Sequence, residues 1–379
     1  MRMDGGMGMK RRMNKGWPWL ARIVLLMVAM GFVLLMAACG LTSEPSDADG
    51  ESSATQLEEN GSDKQKGTIK LSYAFFAPEN TFPAVQMKKW AEELKKRSQG
   101  QVEVEFFFGG ALLDVHNMYD GVKNRVADIG LSATTYEPGR FPLLGISDLP
   151  SGYPNAKVSS QVINELIQTF PPEALQEFKI ITSFATEPSY IQSKVPISSL
   201  EELRGKQLRI SGALNPVLEA LGAAPVGMSQ AEVPEALQTG VIEGNVSSRE
   251  VLKDLKLAEM VPYVTDFPLT VTTFVAVMNR DVWNSLPHNI QQIIDDLNSE
   301  MAAFTGEYLD NHVQESLEWA QQEHELQLVS LSEEEKKRWE EKLRPLQEAY
   351  VQELEQKGLP ASEYHQKLYE LISKYSQAN

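Results

Sequence analysis

The chain of 379 residues has one cysteine, Cys39, and only five histidines. A single thiol forms no internal disulfide and no thiolate metal site, so we expect the fold to depend on its apolar core. The histidines show no H-E-x-x-H spacing, and no P-loop, G-x-G-x-x-G or G-x-S-x-G motif occurs. We therefore expect a protein that is not an enzyme and needs no cofactor and no metal.

Basic residues are outnumbered, with 35 Lys and Arg against 52 Asp and Glu and a formal net charge of −17. A chain this acidic is a poor partner for the phosphate backbone, so we expect no binding of nucleic acid. Carboxylate pairs are so common in this composition that counting them does not decide against a glycosidase-like site.

Long apolar runs are also scarce, and the one that is present lies near the N-terminus. Residues 23–38 follow a basic start that contains Lys10 and Arg11, and sixteen apolar residues match an export signal better than a membrane span. Ala38 precedes Cys39 and Gly40 follows it, which resembles the lipobox of bacterial lipoproteins. The resemblance implies that residues 1–38 are a lipoprotein signal peptide and that Cys39 carries a lipid; an uncleaved anchor with a free cysteine is the alternative.

The segment after Cys39 is rich in Ser, Glu, Asp and Gly and has no apolar period. Such a composition does not bury enough surface to offset its ordering entropy, so residues 39–66 are expected to form a lipidated, flexible tether. Coil scaling gives it a reach of about 30 Å. The protein is then expected to be extracytoplasmic, anchored to the outer face of the cell membrane.

From residue 67 onwards, strand-like and helix-like patterns alternate. Apolar residues recur every second position in residues 68–75 and 102–108, and at helical spacing in residues 82–94. Further strands are predicted at 127–131, 179–184, 190–193, 206–210 and 270–277, and further helices near Tyr119 and at 158–166, 199–203 and 214–221. The alternation predicts an α/β fold with a parallel type of sheet.

Two later helices have clear end signals. Ser229 and Glu232 form the pattern of a capping box, and Gly240 is a typical helix end, although Pro234 lies inside that helix and would remove one backbone hydrogen bond. Residues 289–325 contain Gly306 as their only strong helix breaker, so we expect one long helix there. The acidic segment that begins at Glu333 is expected to be a solvated helical face that supports one lobe.

Several segments resemble the substrate-binding proteins of TRAP transporters, the DctP family. The resemblance is carried by residues 201–210 (EELRGKQLRI), 221–228 (LGAAPVGM) and 232–244 (EVPEALQTGVIEG), and by shorter matches at 127–131, 139–142, 148–150 and 278–287. It implies an α/β fold of the periplasmic-binding-protein type, with two lobes, crossing strands between them and a long helix bridging both lobes. Lobe I would comprise 67–187 and 275–305, and lobe II 188–274 and 306–379.

The resemblance also implies a function. The protein would be a solute receptor that binds a small organic anion, such as a carboxylate, between its lobes and delivers it to the membrane subunits of a TRAP permease driven by an ion gradient. An extracytoplasmic sensor component that binds a ligand and docks on a receptor is the alternative, and nothing in the sequence decides between them.

Arg209 matches the carboxylate-binding arginine of the family. A guanidinium can give a carboxylate two parallel charge-assisted hydrogen bonds, and Arg209 ends a short predicted strand, where open α/β sheets bind ligands. A surface salt bridge is the alternative role for any single arginine. The other candidates are loop residues at predicted strand ends: Phe75, Thr134, Tyr136, Glu187, Ser189, Asn245, Ser247 and Ser248.

Two positions depart from the pattern of many family members, which carry a second arginine near Ser189 and a proline after the turn at Gly244. This chain has Glu187-Pro-Ser189 and Asn245-Val-Ser-Ser248 there. The differences argue against sialic acid or a simple dicarboxylate. A monocarboxylate, a sulfonate, a hydroxy or keto acid, or an aromatic acid is expected instead.

Overall fold

A computed structural model describes residues 67–377 of the chain. The expected signal peptide, the lipidation site Cys39 and the tether at 39–66 lie outside the described residues. Within residues 67–377, no helix is both long enough and apolar enough to cross a membrane.

The described strands form two sheets. In chain order they are β1 (Ile69–Phe75), β2 (Val102–Phe107), β3 (Ile129–Ala133), β4 (Phe178–Ala185), β5 (Tyr190–Ser193), β6 (Gln207–Ile210), β7 (Ala224–Gly227), β8 (Gly244–Ser247), β9 (Tyr263–Thr265), β10 (Thr273–Asn279) and β11 (Gln327–Val329). The first sheet has the order β2-β1-β3-β10-β4, and the second has the order β11-β9-β5-β8-β6-β7.

The helices between and after the strands, again in chain order, are α1 (Phe82–Arg97), α2 (Met118–Lys123), α3 (Pro142–Asp148), α4 (Ala156–Thr169), α5 (Leu200–Leu203), α6 (Asn215–Leu221), α7 (Val233–Thr239), α8 (Val251–Asp254), α9 (Arg280–Ser285), α10 (His288–His324), α11 (Glu333–Gln356) and α12 (Ala361–Gln377). The α/β fold class predicted from the alternation is confirmed. Most predicted boundaries lie within two residues of the observed ones.

Strand direction departs from the parallel sheet that the alternation predicts. β1 runs parallel to β2 and β3, but β10 is antiparallel to both β3 and β4. In the second sheet β6 is parallel to β7 and β8, whereas β5 is antiparallel to β8 and β9. Both sheets are therefore mixed, because the chain passes from one sheet to the other and back, and returns in the opposite direction.

Two of the connections between the sheets lie side by side. One connects β4 to β5 through residues 186–189, and the other connects β9 to β10 through residues 266–272. Ser189 N donates to Thr270 O at 2.6 Å, Leu269 N donates to Ser189 O at 2.9 Å, and Thr186 N donates to Thr272 O at 3.1 Å. These backbone hydrogen bonds tie these two connections together.

The long helix predicted at 289–325 is α10, with 37 residues. It would span about 55 Å at 1.5 Å per residue. Gly306 does not break it: a Cβ at this position would lie only 2.5 Å from Lys157 Cα, so glycine allows α10 and α4 to approach closely. The nearby Asp310 carboxylate accepts hydrogen bonds from Ala156 N (2.7 Å) and Lys157 N (3.0 Å) at the beginning of α4.

Two other local predictions concern helix ends. The capping box of Ser229 and Glu232 is present, but it begins a short 3-10 turn, and α7 follows it. Pro234 therefore falls in the first turn of α7, where a missing N–H costs little. Gly240 ends α7 with φ 76°, in the left-handed region.

The acidic helix α11 contacts the second sheet region through a buried tryptophan. Trp339 is fully buried and packs on Phe267 at a ring distance of 5.2 Å. Its indole N–H donates to Glu335 Oε1 at 3.0 Å, and the same oxygen accepts from Leu200 N at 2.7 Å, at the beginning of α5. One face of α11 is thus part of the core, as a supporting helix requires.

Candidate ligand-binding site

Arg209 lies in β6, between β7 and β8, and only 3% of its surface is exposed. Its guanidinium makes hydrogen bonds to neutral oxygen atoms only. Nε donates to Met228 O (3.0 Å), Nη1 to Gln230 Oε1 and to Asn245 Oδ1 (3.5 Å), and Nη2 to Tyr136 Oη (3.2 Å) and Ser211 Oγ (3.4 Å).

No carboxylate in residues 67–377 forms an ion pair with this buried cation. Burial lowers the pKa of Arg209, and the neighbouring Tyr136 hydroxyl acts in the opposite direction. An arginine still keeps its proton at neutral pH. A buried charge is expensive unless it is paired, so the guanidinium itself would be stabilised by an added anion.

Two amide groups beside the guanidinium have spare donors. Gln230 and Asn245 turn their oxygen atoms towards Arg209, and this assignment leaves Gln230 Nε2 and Asn245 Nδ2 buried without a hydrogen-bond partner among the described residues. Buried N–H groups are normally satisfied. One cation and two amides with free N–H groups are therefore gathered in one place, which is the arrangement that an oxyanion needs.

Tyr136 reaches this site from the first sheet. It lies in the 3-10 turn that follows β3, and its ring packs edge-on against Phe76 at 5.2 Å. Its hydroxyl oxygen accepts from Gln230 N at 3.0 Å as well as from Arg209. The site is consequently built from both sheets, with Arg209 from the second and Tyr136 from the first.

A cavity of about 60 Å³ adjoins Arg209. Aromatic and aliphatic side chains form much of its wall, and Arg209 is the only basic residue in it among the described residues. The lining is Phe75, Phe76, Ala77, Pro78, Thr81, Phe82, Pro83, Tyr136, Thr186, Arg209, Ser211, Gln230, Ala231, Ser247, Glu250, Val251, Asp254, Leu255, Thr272 and Phe274.

The structure places the predicted residues in three groups. Phe75, Tyr136, Arg209 and Ser247 line the cavity, and Asn245 contacts the guanidinium. The others make contacts elsewhere: Thr134 Oγ1 donates to Thr273 O (3.3 Å), Ser189 Oγ bonds Thr270 Oγ1 (2.7 Å), Ser248 Oγ donates to Glu250, and Glu187 bonds Arg249. Thr134, Ser189, Ser248 and Glu187 do not line this cavity, so a direct ligand contact for these four residues stays a prediction.

Glu187 neutralises Arg249, a partly buried arginine of this region. Arg249 donates to the Glu187 carboxylate from Nη2 (2.7 Å), Nε (3.0 Å) and its backbone N (2.7 Å), and the guanidinium lies 4.0 Å from the Tyr190 ring centre. Glu187 is 4% exposed. Arg249 therefore has its anion within the protein, whereas Arg209 does not.

Sequence reasoning missed Gln230, Glu250 and Asp254. The four-residue spacing of Glu250 and Asp254 was the available signal, because such a pair shares one side of a helical segment. Burial raises the pKa of Glu250 to about 8; the Ser248 hydroxyl opposes this shift, and the negative charges of Asp254 and Glu187 add to it. The His312 side chain is 12% exposed and bonds Asp254 at 2.7 Å.

Comparisons with known proteins agree with this geometry. The family model described as bacterial extracellular solute-binding protein, family 7 (DctP) matches residues 73–353. A TRAP periplasmic solute-binding protein of Desulfovibrio salexigens is 39% identical, with a TM-score of 0.74 over 82% of this chain and 97% of that one. A TRAP solute-binding protein of Rhodoferax ferrireducens, in complex with copurified benzoate, is 25% identical (TM-score 0.78; 82% and 99%).

A third solved structure is a marine metagenome TRAP solute-binding protein specific for aromatic acid ligands, in complex with metahydroxyphenylacetate. It is 28% identical, with a TM-score of 0.77 over 81% of this chain and 99% of that one. Members of this family are extracytoplasmic transport components and not enzymes. The extent of these matches shows that the chain belongs to the DctP family of substrate-binding proteins of TRAP transporters.

Proposed function

We propose that Arg209 binds the acid group of a small organic anion, which the protein delivers to the membrane subunits of a TRAP permease. One observation carries the proposal: Arg209 is buried, and every hydrogen-bond acceptor that it has among the described residues is neutral. A carboxylate or sulfonate would accept from the guanidinium and from the spare N–H groups of Gln230 and Asn245.

The walls of the cavity favour an acid with one negative charge and an apolar body. Phe75, Phe76, Phe82 and Phe274 line it, and no second basic residue in the described chain does so. A dicarboxylate would bring a second anion that the cavity does not neutralise. The benzoate and metahydroxyphenylacetate complexes of two relatives support an aromatic acid as the ligand type.

Hydrogen bonds to a charged group contribute about 1.5–3 kcal/mol each, whereas micromolar affinity needs about 8 kcal/mol. The remainder must come from enclosing the apolar body of the ligand. The present volume of about 60 Å³ holds about four to six waters at roughly 10–15 Å³ each, so an aromatic acid requires the walls to separate first.

We propose that the two sheets belong to two lobes that open and close about the paired connections at 186–189 and 266–272. The lobes are 67–187 with 275–305, and 188–274 with 306–379. Hydrogen bonds between the connections support this role, because a pair of short crossing segments concentrates the change in backbone angles.

The lipid anchor remains a proposal, since Cys39 lies outside the described residues. A lipidated Cys39 would keep the receptor near its permease, and residues 40–66 would leave the lobes free to move. Expression of the full chain with Cys39→Ser should release the mature protein from the membrane fraction. Mass spectrometry of the wild-type N-terminal peptide should find diacylglycerol on Cys39; an unmodified thiol would contradict the anchor.

Binding of the acid group by Arg209, called the clamp from here on, is tested with Arg209→Ala. Isothermal titration calorimetry with benzoate and other monocarboxylates should show binding to the wild-type protein and none to this variant. Arg204→Ala is the matched control, because Arg204 is exposed and outside the cavity. Unchanged binding by Arg209→Ala would rule out the clamp.

A sensor component that docks on a receptor is the alternative role. Both roles use the same closed form, so ligand binding does not separate them. The two roles are separated by reconstituting the protein with its permease subunits in vesicles. Receptor-dependent uptake of the labelled acid supports transport, and no uptake supports sensing.

A further inference from the structure

The cavity beside Arg209 also has an acidic wall. Glu250 and Asp254 line it, at the beginning and the end of the α8 segment. A negatively charged carboxylate in a cavity that takes an anion weakens binding, unless the ligand also has a group that can donate a hydrogen bond to it. Their presence therefore needs a physical reason.

Asp254 has one oxygen occupied and one free. Oδ1 lies 2.7 Å from His312 Nε2, whereas Oδ2 is buried and has no hydrogen-bond partner among the described residues. The side chain is 6% exposed. A buried carboxylate oxygen without a donor is rare in folded proteins, and this one belongs to a residue of the cavity wall.

The surroundings hold Asp254 in place. Asn80 Nδ2 donates to its backbone oxygen at 2.7 Å. His312, on α10, stacks on Tyr308 at 5.5 Å and has Glu315 at 3.6 Å from Nδ1. The hydrogen bond that His312 donates to Asp254 raises the pKa of His312, although burial opposes this.

We propose that the natural ligand carries, besides the acid group, an O–H or N–H donor that Asp254 Oδ2 accepts. The proposal rests on the proposed function, since it assumes that the acid group binds at Arg209. The ligand class is then a hydroxy or amino acid in which an apolar body separates the two polar groups. The free oxygen of Asp254 gives such acids an advantage over the unsubstituted ones.

The test uses matched acids that differ only in the donor. One series is benzoate, meta-hydroxybenzoate and meta-(aminomethyl)benzoate, and the other is butyrate, gamma-hydroxybutyrate and gamma-aminobutyrate. Calorimetry on the wild-type protein should show that donor-bearing members of one series bind about 10-fold tighter or more than their parent acid. A greater gain for the ammonium than for the hydroxyl identifies an amino acid ligand, and the reverse identifies a hydroxy acid.

Two variants assign the effect to Asp254. Asp254→Leu removes the acceptor and should bind parent and donor-bearing acids equally. Asp254→Asn keeps the shape of the side chain and removes its negative charge, so it replaces the leucine variant if that variant does not fold. This variant should lose most of the preference for acids that carry an ammonium group. Glu259→Gln, an exposed carboxylate close in sequence, is the control and should leave all affinities unchanged.

The outcomes separate this proposal from the clamp. Arg209→Ala should lose all the acids, whereas the Asp254 variants should keep the parent acid and lose only the preference. Equal affinities within both series of the wild-type protein, or a preference that survives both Asp254 variants, would overturn the proposal. If the wild-type protein binds none of the six acids, both this proposal and the proposed function are wrong.

Discussion

Two arginines of this region, the buried Arg209 and the partly buried Arg249, have different electrostatic settings. Arg249 holds the Glu187 carboxylate with three hydrogen bonds, while every hydrogen bond that Arg209 donates to the described residues goes to a neutral group. The residue type is the same in both cases. The difference between the two is whether the protein supplies an anion as hydrogen-bond acceptor.

Breaking the Glu187–Arg249 pair should destabilise the protein without abolishing ligand binding. Arg249→Met leaves the Glu187 carboxylate buried and unpaired, so we expect the free energy of unfolding to fall by about 3–5 kcal/mol, measured by urea denaturation. Glu187→Gln combined with Arg249→Met should recover part of the loss. A change below about 0.5 kcal/mol would show that water reaches the carboxylate and the pair contributes little.

The pH dependence of affinity should depend on Glu250. Its raised pKa of about 8 keeps it largely neutral at pH 7, and above that value it adds a negative charge to a cavity that already contains Asp254. We expect the Kd of an acid without a positive charge to rise by up to about tenfold per pH unit above the pKa. The dissociation constant is measured by calorimetry from pH 6 to pH 9.

Glu250→Gln is the matched variant for this measurement. The glutamine side chain cannot ionise, so the rise in Kd above about pH 8 should be absent from this variant. The acid group of the ligand and Arg209 do not titrate there. The same slope in Glu250→Gln would assign the pH dependence to another group.

At the scale of elements, the contact between α10 and α4 explains why a glycine stands in the middle of a helix of 37 residues. The close approach at Gly306 brings Asp310 to the beginning of α4, where its carboxylate accepts two backbone N–H groups. A negative charge is favourable at that end of a helix. The supposed breaker is therefore a packing residue.

Gly306→Ala should destabilise the protein, although alanine is the better helix former by about 1 kcal/mol. The added Cβ would lie 2.5 Å from Lys157 Cα and 2.8 Å from Ala156 O, and overpacking of this kind costs about 1–3 kcal/mol. Urea denaturation measures the difference. Gln322→Ala, on an exposed position of the same helix, is the control; a more stable Gly306→Ala protein would show that the helices separate freely.

At the scale of the whole molecule, the site lies where residues from both sheets meet, so binding and overall shape should be coupled. Tyr136 from the first sheet bonds Arg209 from the second, and two of the connections between the sheets, at 186–189 and 266–272, are short and paired. A ligand that contacts both sides favours the closed arrangement over the open one.

Small-angle X-ray scattering should therefore detect closure. The radius of gyration of the wild-type protein should decrease when a binding acid is added, and that of Arg209→Ala should not change. Tyr136→Phe removes the hydroxyl contact between the two sides and should weaken affinity while keeping Arg209 in place. An unchanged radius in the wild-type protein at saturating ligand would argue against hinge closure.

The sequence by itself determined most elements of this protein and the position of Arg209 near the end of a strand. Apolar periodicity and end signals such as Ser229 and Gly240 depend on neighbours a few positions apart, and these predicted most helices, most strands and the position of Arg209 at a strand end. Only the tertiary structure decided which charges are paired. Glu187 is 62 residues from Arg249, and Asp254 is 58 residues from His312. The physical reason is that electrostatic pairing, strand direction and burial depend on which distant segments the crossing connections bring together, and no local pattern encodes that.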